Sequence, residues 1–275
     1  MDILAGLLAL IANLGVGAGY LANQSARQFL LQELDQAEVL EVQIQSTPNY
    51  RLLQGEADRL LIAGRGLYRK PFPRIDILEL ETDPLAINPS VLQGQPLELE
   101  RALQAAIRVV VTVEDLNTAL QSPEVLEQFQ DLKADLPGQP QTRFDLRDPQ
   151  AQFLPDNRIQ LSAQLVQRTP DGQPSEESVE ILFVAGFAVE NGQQVRLVNP
   201  EFTIGSVRVP DEISSAFLGG LNVVFNLQDL EAQGLTVRVL KLALTPQALE
   251  VIGFVRIESL PSDGNPSTVG VSSLR

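Results

Sequence analysis

The sequence predicts an α+β fold in which an N-terminal helix packs against a large antiparallel sheet. Three observations carry this. An uncharged run from Ile3 to Ala22 is followed by Phe29, Leu30 and Leu34 at helical spacing. At EVLEVQIQS the hydrophobic period then switches from helical to two, and period-two segments recur to the end of the chain. The segments are joined by polar turn sequences, with no long helix between successive strands, which favours hairpins over parallel crossovers.

The elements follow in order. Residues 1–24 form a hydrophobic N-terminal helix, continued by an amphipathic stretch to Gln36. Leu40, Val42 and Ile44 alternate with Glu41, Gln43 and Gln45, a strand with one wet face. Further strands are expected at Arg59–Leu67, Arg74–Thr82, Leu97–Leu99 and Ala105–Val111. Within RIDILELET the apolar phase slips between Ile77 and Leu78, which implies a bulge or a strand apolar on both faces. TVED, Thr112–Asp115, offers a capping box for a helix bearing Leu116 and Leu120. Ser122-Pro123-Glu124 starts another, with Val125, Phe129 and Leu132 on one face. Leu136–Thr142 reads as a connector rich in Pro and Gly.

The second half is mostly strand. Ile159, Leu161, Ala163 and Leu165 alternate cleanly within Arg158–Arg168, and a Pro-Asp-Gly turn leads to VEILFVAGFAV. There one row holds Val179, Ile181, Phe183, Ala185 and Phe187, and the other Leu182, Val184, Gly186 and Ala188. A short helix is expected near Asp211–Leu221, then a closing hairpin of LTVRVLKLAL with ALEVIGFVRI about Thr245–Gln247. Residues 25–260 thus make one α+β domain, and 261–275 have the composition of a disordered tail.

Composition excludes several functions. Acidic residues number 35 against 20 basic, a net charge of −15, which argues against a nucleic-acid partner. With no His and no Cys, the chain lacks Ser-His-Asp and Cys-His machinery, His- or thiolate-held zinc, and disulfides. An enzyme is disfavoured, and no cofactor or metal is expected. Gly15, Gly17 and Gly19 do not follow a strand and lack the spacing of a phosphate loop. The carboxylates of LELETDPLAINP and TRFDLRD match no metal-loop spacing.

Two stretches invite a site. GRGLYRKPFPR sets Arg65, Arg69, Lys70 and Arg74 around Tyr68 and Phe72 in an otherwise acidic chain. This mixture suits contact with membrane headgroups, and equally a solvated hairpin tip. The strand around Phe183, apolar on both faces, suits a central core strand or the wall of a lipid cavity.

LLQGEADRLLIAGRGL, LELETDPLAINP, RVVVTVEDLNTALQS and GLTVRVLKLALTPQALEVIGFVRI together resemble the LmeA-like family of bacterial cell-envelope proteins, especially its cyanobacterial branch. The resemblance covers Ala26–Leu260, and its most telling piece is TxxDLNxAL: Thr112, Asp115, Leu116, Asn117, Ala119 and Leu120. It implies a fold similar to tubular lipid-binding proteins, a long helix wrapped by a curved antiparallel sheet, and phospholipid binding without catalysis. The residues of this sequence then nominated for acyl chains are Leu182, Phe183, Val184, Phe187, Phe29 and Leu30. Those nominated for headgroup or membrane contact are Arg65, Tyr68, Arg69, Lys70, Phe72 and Arg74. The alternative is a scaffolding envelope protein with the same fold and no lipid cargo.

The opening run bears on location. A helix of 20 residues is about 30 Å long, enough to cross a hydrocarbon core. Val16-x-Ala18 permits cleavage, yet no Lys or Arg precedes the run, and packing within the folded domain is a third option. The expectation is a retained anchor on a membrane, facing the periplasm or cell envelope, with the thylakoid as a further candidate.

Overall fold

The computed structural model describes residues 20–86, 99–134, 142–169, 171, 173–209 and 223–258. The apolar run before Tyr20, the 211–221 helix and the 261–275 tail lie outside them, as do Leu97 and Glu98 of the expected 97–99 strand. The described residues are mostly antiparallel β with three short helices: α1 (Tyr20–Gln32), α2 (Val113–Leu120) and α3 (Pro123–Leu126).

Two large sheets hold most of the described strands. The first joins β1 (Val39–Gln45), β3 (Arg59–Leu67), β4 (Ile75–Thr82), β6 (Leu103–Thr112), β15 (Ala248–Ile257) and β14 (Leu235–Leu244) in that spatial order. A small pair, β2 (Glu56–Ala57) and β5 (Leu85–Ala86), stands beside it. The second sheet is inserted in the chain between β6 and β14. It runs from β12 (Val207–Arg208) through β11 (Gln194–Ile204), β10 (Pro174–Glu190), β9 (Arg158–Arg168) and β8 (Thr142–Leu154) to β7 (Leu132–Ala134). A further strand, β13 (Val223–Asn226), pairs with β11. Neither sheet is closed or curled, so the expected curved sheet wrapping a helix is replaced by two open sheets. The helix α1 instead lies on one face of the first sheet, with Ala26 buried at 3% exposure and Leu30 and Leu31 beside it.

The predicted alternation of β1 is observed: Leu40, Val42 and Ile44 are buried while Val39, Glu41 and Gln43 are exposed. Their neighbours on the same face continue the core across the sheet, through Leu60 and Ile62, Leu78 and Leu80, Leu103 and Ala105, to Val255 and Ile257. The helix expected to reach Gln36 ends at Gln32 because the next backbone N–H groups turn to another partner. Asp35 and Gln36 both donate to the Tyr68 carbonyl, at 2.9 and 3.2 Å, which draws the chain into extended form. The phase slip in β4 produces no bulge; its pairing with β3 and β6 shows no register shift. The strand is apolar on both faces there, with Leu78 buried and Ile77 half-buried.

Two glycines shape the end of β3. Gly66 has φ +60°, which reverses the side-chain alternation so that Leu67 folds back into the core. Leu67 lies over Gly64, where an added Cβ would approach its Cδ1 to 2.6 Å.

Among the described residues the sheets are joined at two places. Turns of the second sheet cap the outer edge of β14. Val239 N–H donates to the Gly192 carbonyl at 2.6 Å, and Leu244 N–H to Asn157 Oδ1 at 2.8 Å. An edge strand that would otherwise present free pairing groups is thereby partly covered. The second joint is α2, described next.

Candidate functional site

Cross-strand partners in an antiparallel sheet share a face, so the register of the second sheet assigns every residue to one side. On one side lie Phe183 with Leu161 and Phe202, Ile181 with Ala163 and Ile204, and Ala185 with Ile159. Beyond β9 the same side continues to Ala151, Phe153 and Leu146. Four strands therefore present one nearly all-apolar face.

This face is closed at one end and open at the other. Phe153, Ile159 and Ala185 are buried at 2%, 9% and 0% exposure. Phe153 and Ile159 lie toward Leu116 and Leu120 of α2 and Leu242, Leu244 and Leu249 of the β14–β15 hairpin, with Phe187 at the margin of the same cluster. Further along, Ile181, Phe183, Phe202 and Ile204 are only half-buried. Leu161 and Val179 are 37% and 43% exposed.

The other face of the same strands is polar. Leu182 pairs with Ser162 and Thr203, and Val184 with Gln160 and Glu201. The doubly apolar strand seen in the sequence thus divides its candidates. Phe183 and Phe187 belong to the apolar face, and Leu182 and Val184 to the opposite one. Leu30 packs into the first sheet's core, away from all four; Phe29 is on α1, and its side chain is outside the described set. The face also holds Phe202 and Ile204 on β11, a strand the sequence reading missed. Asn199 at φ +49° and a register break opposite Val184 and Gly186 interrupt that strand's period.

The TxxDLNxAL segment forms the second joint between the sheets. Thr112 caps α2: its hydroxyl oxygen accepts from Asp115 N–H at 3.1 Å, and the hydroxyl donates to the Asp115 carboxylate at 2.7 Å. The same carboxylate accepts from Arg74 Nη1 at 3.2 Å, tying the β3–β4 connection to the helix. Asn117 behaves as a surrogate strand partner for β8, where its Nδ2 donates to the Ala151 carbonyl at 2.9 Å and its Oδ1 accepts from Ala151 N–H at 2.7 Å. Gln121 Nε2 adds a bond to the Pro149 carbonyl at 2.6 Å. Leu116, Leu120 and Val113 then close the buried end of the apolar face. The motif is an interlock that seats the second sheet on the first.

The basic stretch lies among carboxylates. Arg74 pairs with Glu38 at 2.6 Å and with Asp76 at 3.5 Å besides Asp115. Arg69 lies 3.8 Å from Glu33, and Lys70 lies 3.9 Å from Glu124. Tyr68 is half-buried and bridges to Gln36, while Arg65 and Phe72 are exposed. Four acidic partners and the Asp115 node therefore surround Arg69, Lys70 and Arg74, three of the cations nominated for headgroups.

Among the described residues no group of His, Cys, Asp and Glu has the geometry of a metal site, and no helix is long and apolar enough to cross a membrane. The family model of LmeA-like phospholipid-binding proteins matches residues 13–254, and the chain belongs to that family. The family is described by phospholipid binding and not by a catalytic activity, so membership implies a phospholipid ligand. No curated protein and no solved structure matches the chain.

Proposed function

We propose, with membership of the LmeA-like phospholipid-binding family as the premise, that the chain binds phospholipid with its acyl chains along the apolar face of the second sheet. The observation that carries this reading is the graded exposure of that face along β10, from Ala185 at the closed end through half-buried Phe183 and Ile181 to Val179 at the open one. From Val179 to Phe187 the eight residue steps of β10 span about 26 Å at about 3.3 Å each. One leaflet of a bilayer is about 15 Å deep, half of a hydrocarbon core of about 30 Å. The face is long enough for one lipid's chains.

The energetics favour exchange over capture. Removing a methylene from water gains about 0.8 kcal/mol. A bilayer supplies the same gain, so a chain moving from bilayer to protein changes little in free energy. That near-balance suits transfer, and it makes the shape of the face and its access route the determinants of rate. The reading extends to location: a bacterial membrane, on the periplasmic or envelope side, with the uncharged Ile3–Ala22 run as anchor. The cyanobacterial affinity belongs to the same reading, supported by the quoted segments.

The scaffolding alternative expects the second sheet's apolar face to be as closed as the first sheet's core, and the exposures of Leu161 and Val179 weigh against it. Native mass spectrometry of gently purified protein tests the choice. The expected result is co-purifying phospholipid that Phe183→Asp abolishes. Wild-type protein that arrives lipid-free and takes up no lipid overturns the proposal.

A further inference from the structure

The apolar face is most exposed at one corner. Val207 on β12, at 69% exposure, pairs with Ile204 on β11, which pairs with Ile181 on β10, which pairs with Ala163 on β9. This row crosses four strands on a single side. Val179, 43% exposed, lies against the turn that leads into β12. Gly205 N–H donates to the Glu180 carbonyl at 2.7 Å, and a Cβ built on Gly205 would stand 3.6 Å from Val179 Cγ1. Val179, Ile204 and Val207 therefore form one apolar lip, continuous with Ile181 and the Phe183–Phe202 row behind it. At the far end the face is sealed by Phe153, Ile159 and α2.

We infer that this lip is the surface that docks on a phospholipid bilayer and over which the lipid's chains enter. The inference rests on the proposed binding face and adds its partner and its entrance. A two-chain lipid is scarcely soluble as a monomer, because each exposed methylene costs about 0.8 kcal/mol. The open end of a face that holds such chains must meet a source that presents them, and that source is a bilayer. The contact is apolar and not cationic. Arg208, beside Val207, is directed to Glu201 at 3.8 Å, and Glu177 and Glu180 nearby are exposed. Docking should therefore proceed on zwitterionic lipid and respond weakly to salt.

The test follows uptake of a fluorescent phosphatidylcholine by the full-length chain from two sources: phosphatidylcholine vesicles, and the same lipid carried as a monomer on cyclodextrin. The Val207→Asp variant is expected to slow uptake from vesicles about tenfold, since charge on the lip opposes insertion into the interface. Its final loading from cyclodextrin should equal the wild type's, which also shows that it is folded. Leu240→Asp, at a position 68% exposed on β14, serves as a surface control and should behave as wild type in both arms. If the wild type loads from neither source, the binding proposal itself falls. Vesicle uptake by Val207→Asp at the wild-type rate, loss of loading in both arms, or an equal effect of Leu240→Asp would each overturn the lip. A wild-type dimer in sedimentation that Val207→Asp dissolves would assign the corner to a second copy and overturn it too.

Discussion

Leu60 and Leu161 are both leucines within interior antiparallel strands, each on the apolar side of its sheet. Leu60 has 0% of its surface exposed and Leu161 has 37%. In the first sheet the helix α1, with Leu52, Leu85 and Leu230 from neighbouring segments, packs on the face bearing Leu40, Ile62, Leu80 and Ile257, which forms a sealed core. In the second sheet, among the described residues, α2 and the tip of the β14–β15 hairpin form the lid, over Ala151, Phe153 and Ile159. The two faces are similar in composition but differ in what covers them. A sealed face supplies stability, while a half-covered one can exchange its cover for a ligand.

That contrast predicts opposite phenotypes for one substitution. Leu60→Ala should cost about 2–5 kcal/mol, as the loss of a fully buried leucine does when the cavity cannot collapse. Leu161→Ala should cost under about 1 kcal/mol, because much of that side chain already meets water, and should reduce the phospholipid retained on purification. Chemical denaturation measures the first and lipid content the second. Equal stability losses would erase the distinction between the sheets.

The next effect concerns the interlock. Asn117→Ala removes two hydrogen bonds to Ala151, and the freed backbone groups of β8 regain only part of that from water. The expected loss is about 2–3 kcal/mol. It should fall unevenly: hydrogen exchange should quicken in β8 and β9 while β3 and β4 keep their protection. Uniform quickening would mean that the sheets open as one unit and that α2 does not divide them.

How much of this was legible beforehand depended on whether a strand kept its period. Val39–Gln45 could be read because Glu41, Gln43 and Gln45 alternate with Leu40, Val42 and Ile44, and the 235–257 hairpin because two long apolar runs flank the turn at Thr245–Gln247. β8 was missed. Its register breaks between Arg147 and Gln150, and Asp148 at φ +49° carries the chain through the irregularity, so TRFDLRD and AQFL look like unrelated fragments. The rows on β10 were visible as two apolar stripes. Which stripe faces a partner is fixed by β9 and β11, whose residues opposite Leu182 and Val184 are polar, and that pairing is not a local property of the sequence. The DLN segment could be recognised as a signature. Its use became readable only once Asn117 was seen against β8.

A smaller effect, and one dependent on pH, lies at the base of the second sheet. Burial would push the Asp145 carboxyl up, but hydrogen bonds from the Arg168 guanidinium at 2.7 Å and Asp131 N–H at 2.9 Å outweigh it. They hold the group below its ordinary value. A carboxyl depressed in the folded state adds stability that is present above the unfolded value of about 4 and lost as pH falls through the lower folded value. Asp145→Asn should therefore destabilise at neutral pH by about 1–2 kcal/mol and flatten the decline of stability on acidification. Thermal unfolding across that pH range reads both. An unchanged acid limb would mean that other carboxylates dominate acid unfolding.

The smallest expected effect is at the basic stretch, where the comparison is between an apolar route to the membrane and a cationic one. Near-surface basic groups contribute about 1 kcal/mol each on an anionic bilayer when they are free to face it. Here Glu33 stands 3.8 Å from Arg69 and Glu124 stands 3.9 Å from Lys70, so a good part of that attraction is already cancelled within the protein. In a chain of net charge −15 the remaining field is repulsive. Arg69→Gln with Lys70→Gln should thus leave binding to anionic vesicles close to wild type. Stability should change by under about 1 kcal/mol, since both pairs are long and solvated. Vesicle co-sedimentation at low salt is the sensitive measurement, because screening shortens the reach of such charges to about 10 Å at 0.1 M salt. A clear fall in binding there would restore the 65–74 stretch as a headgroup contact and give the molecule a second, electrostatic hold on the bilayer.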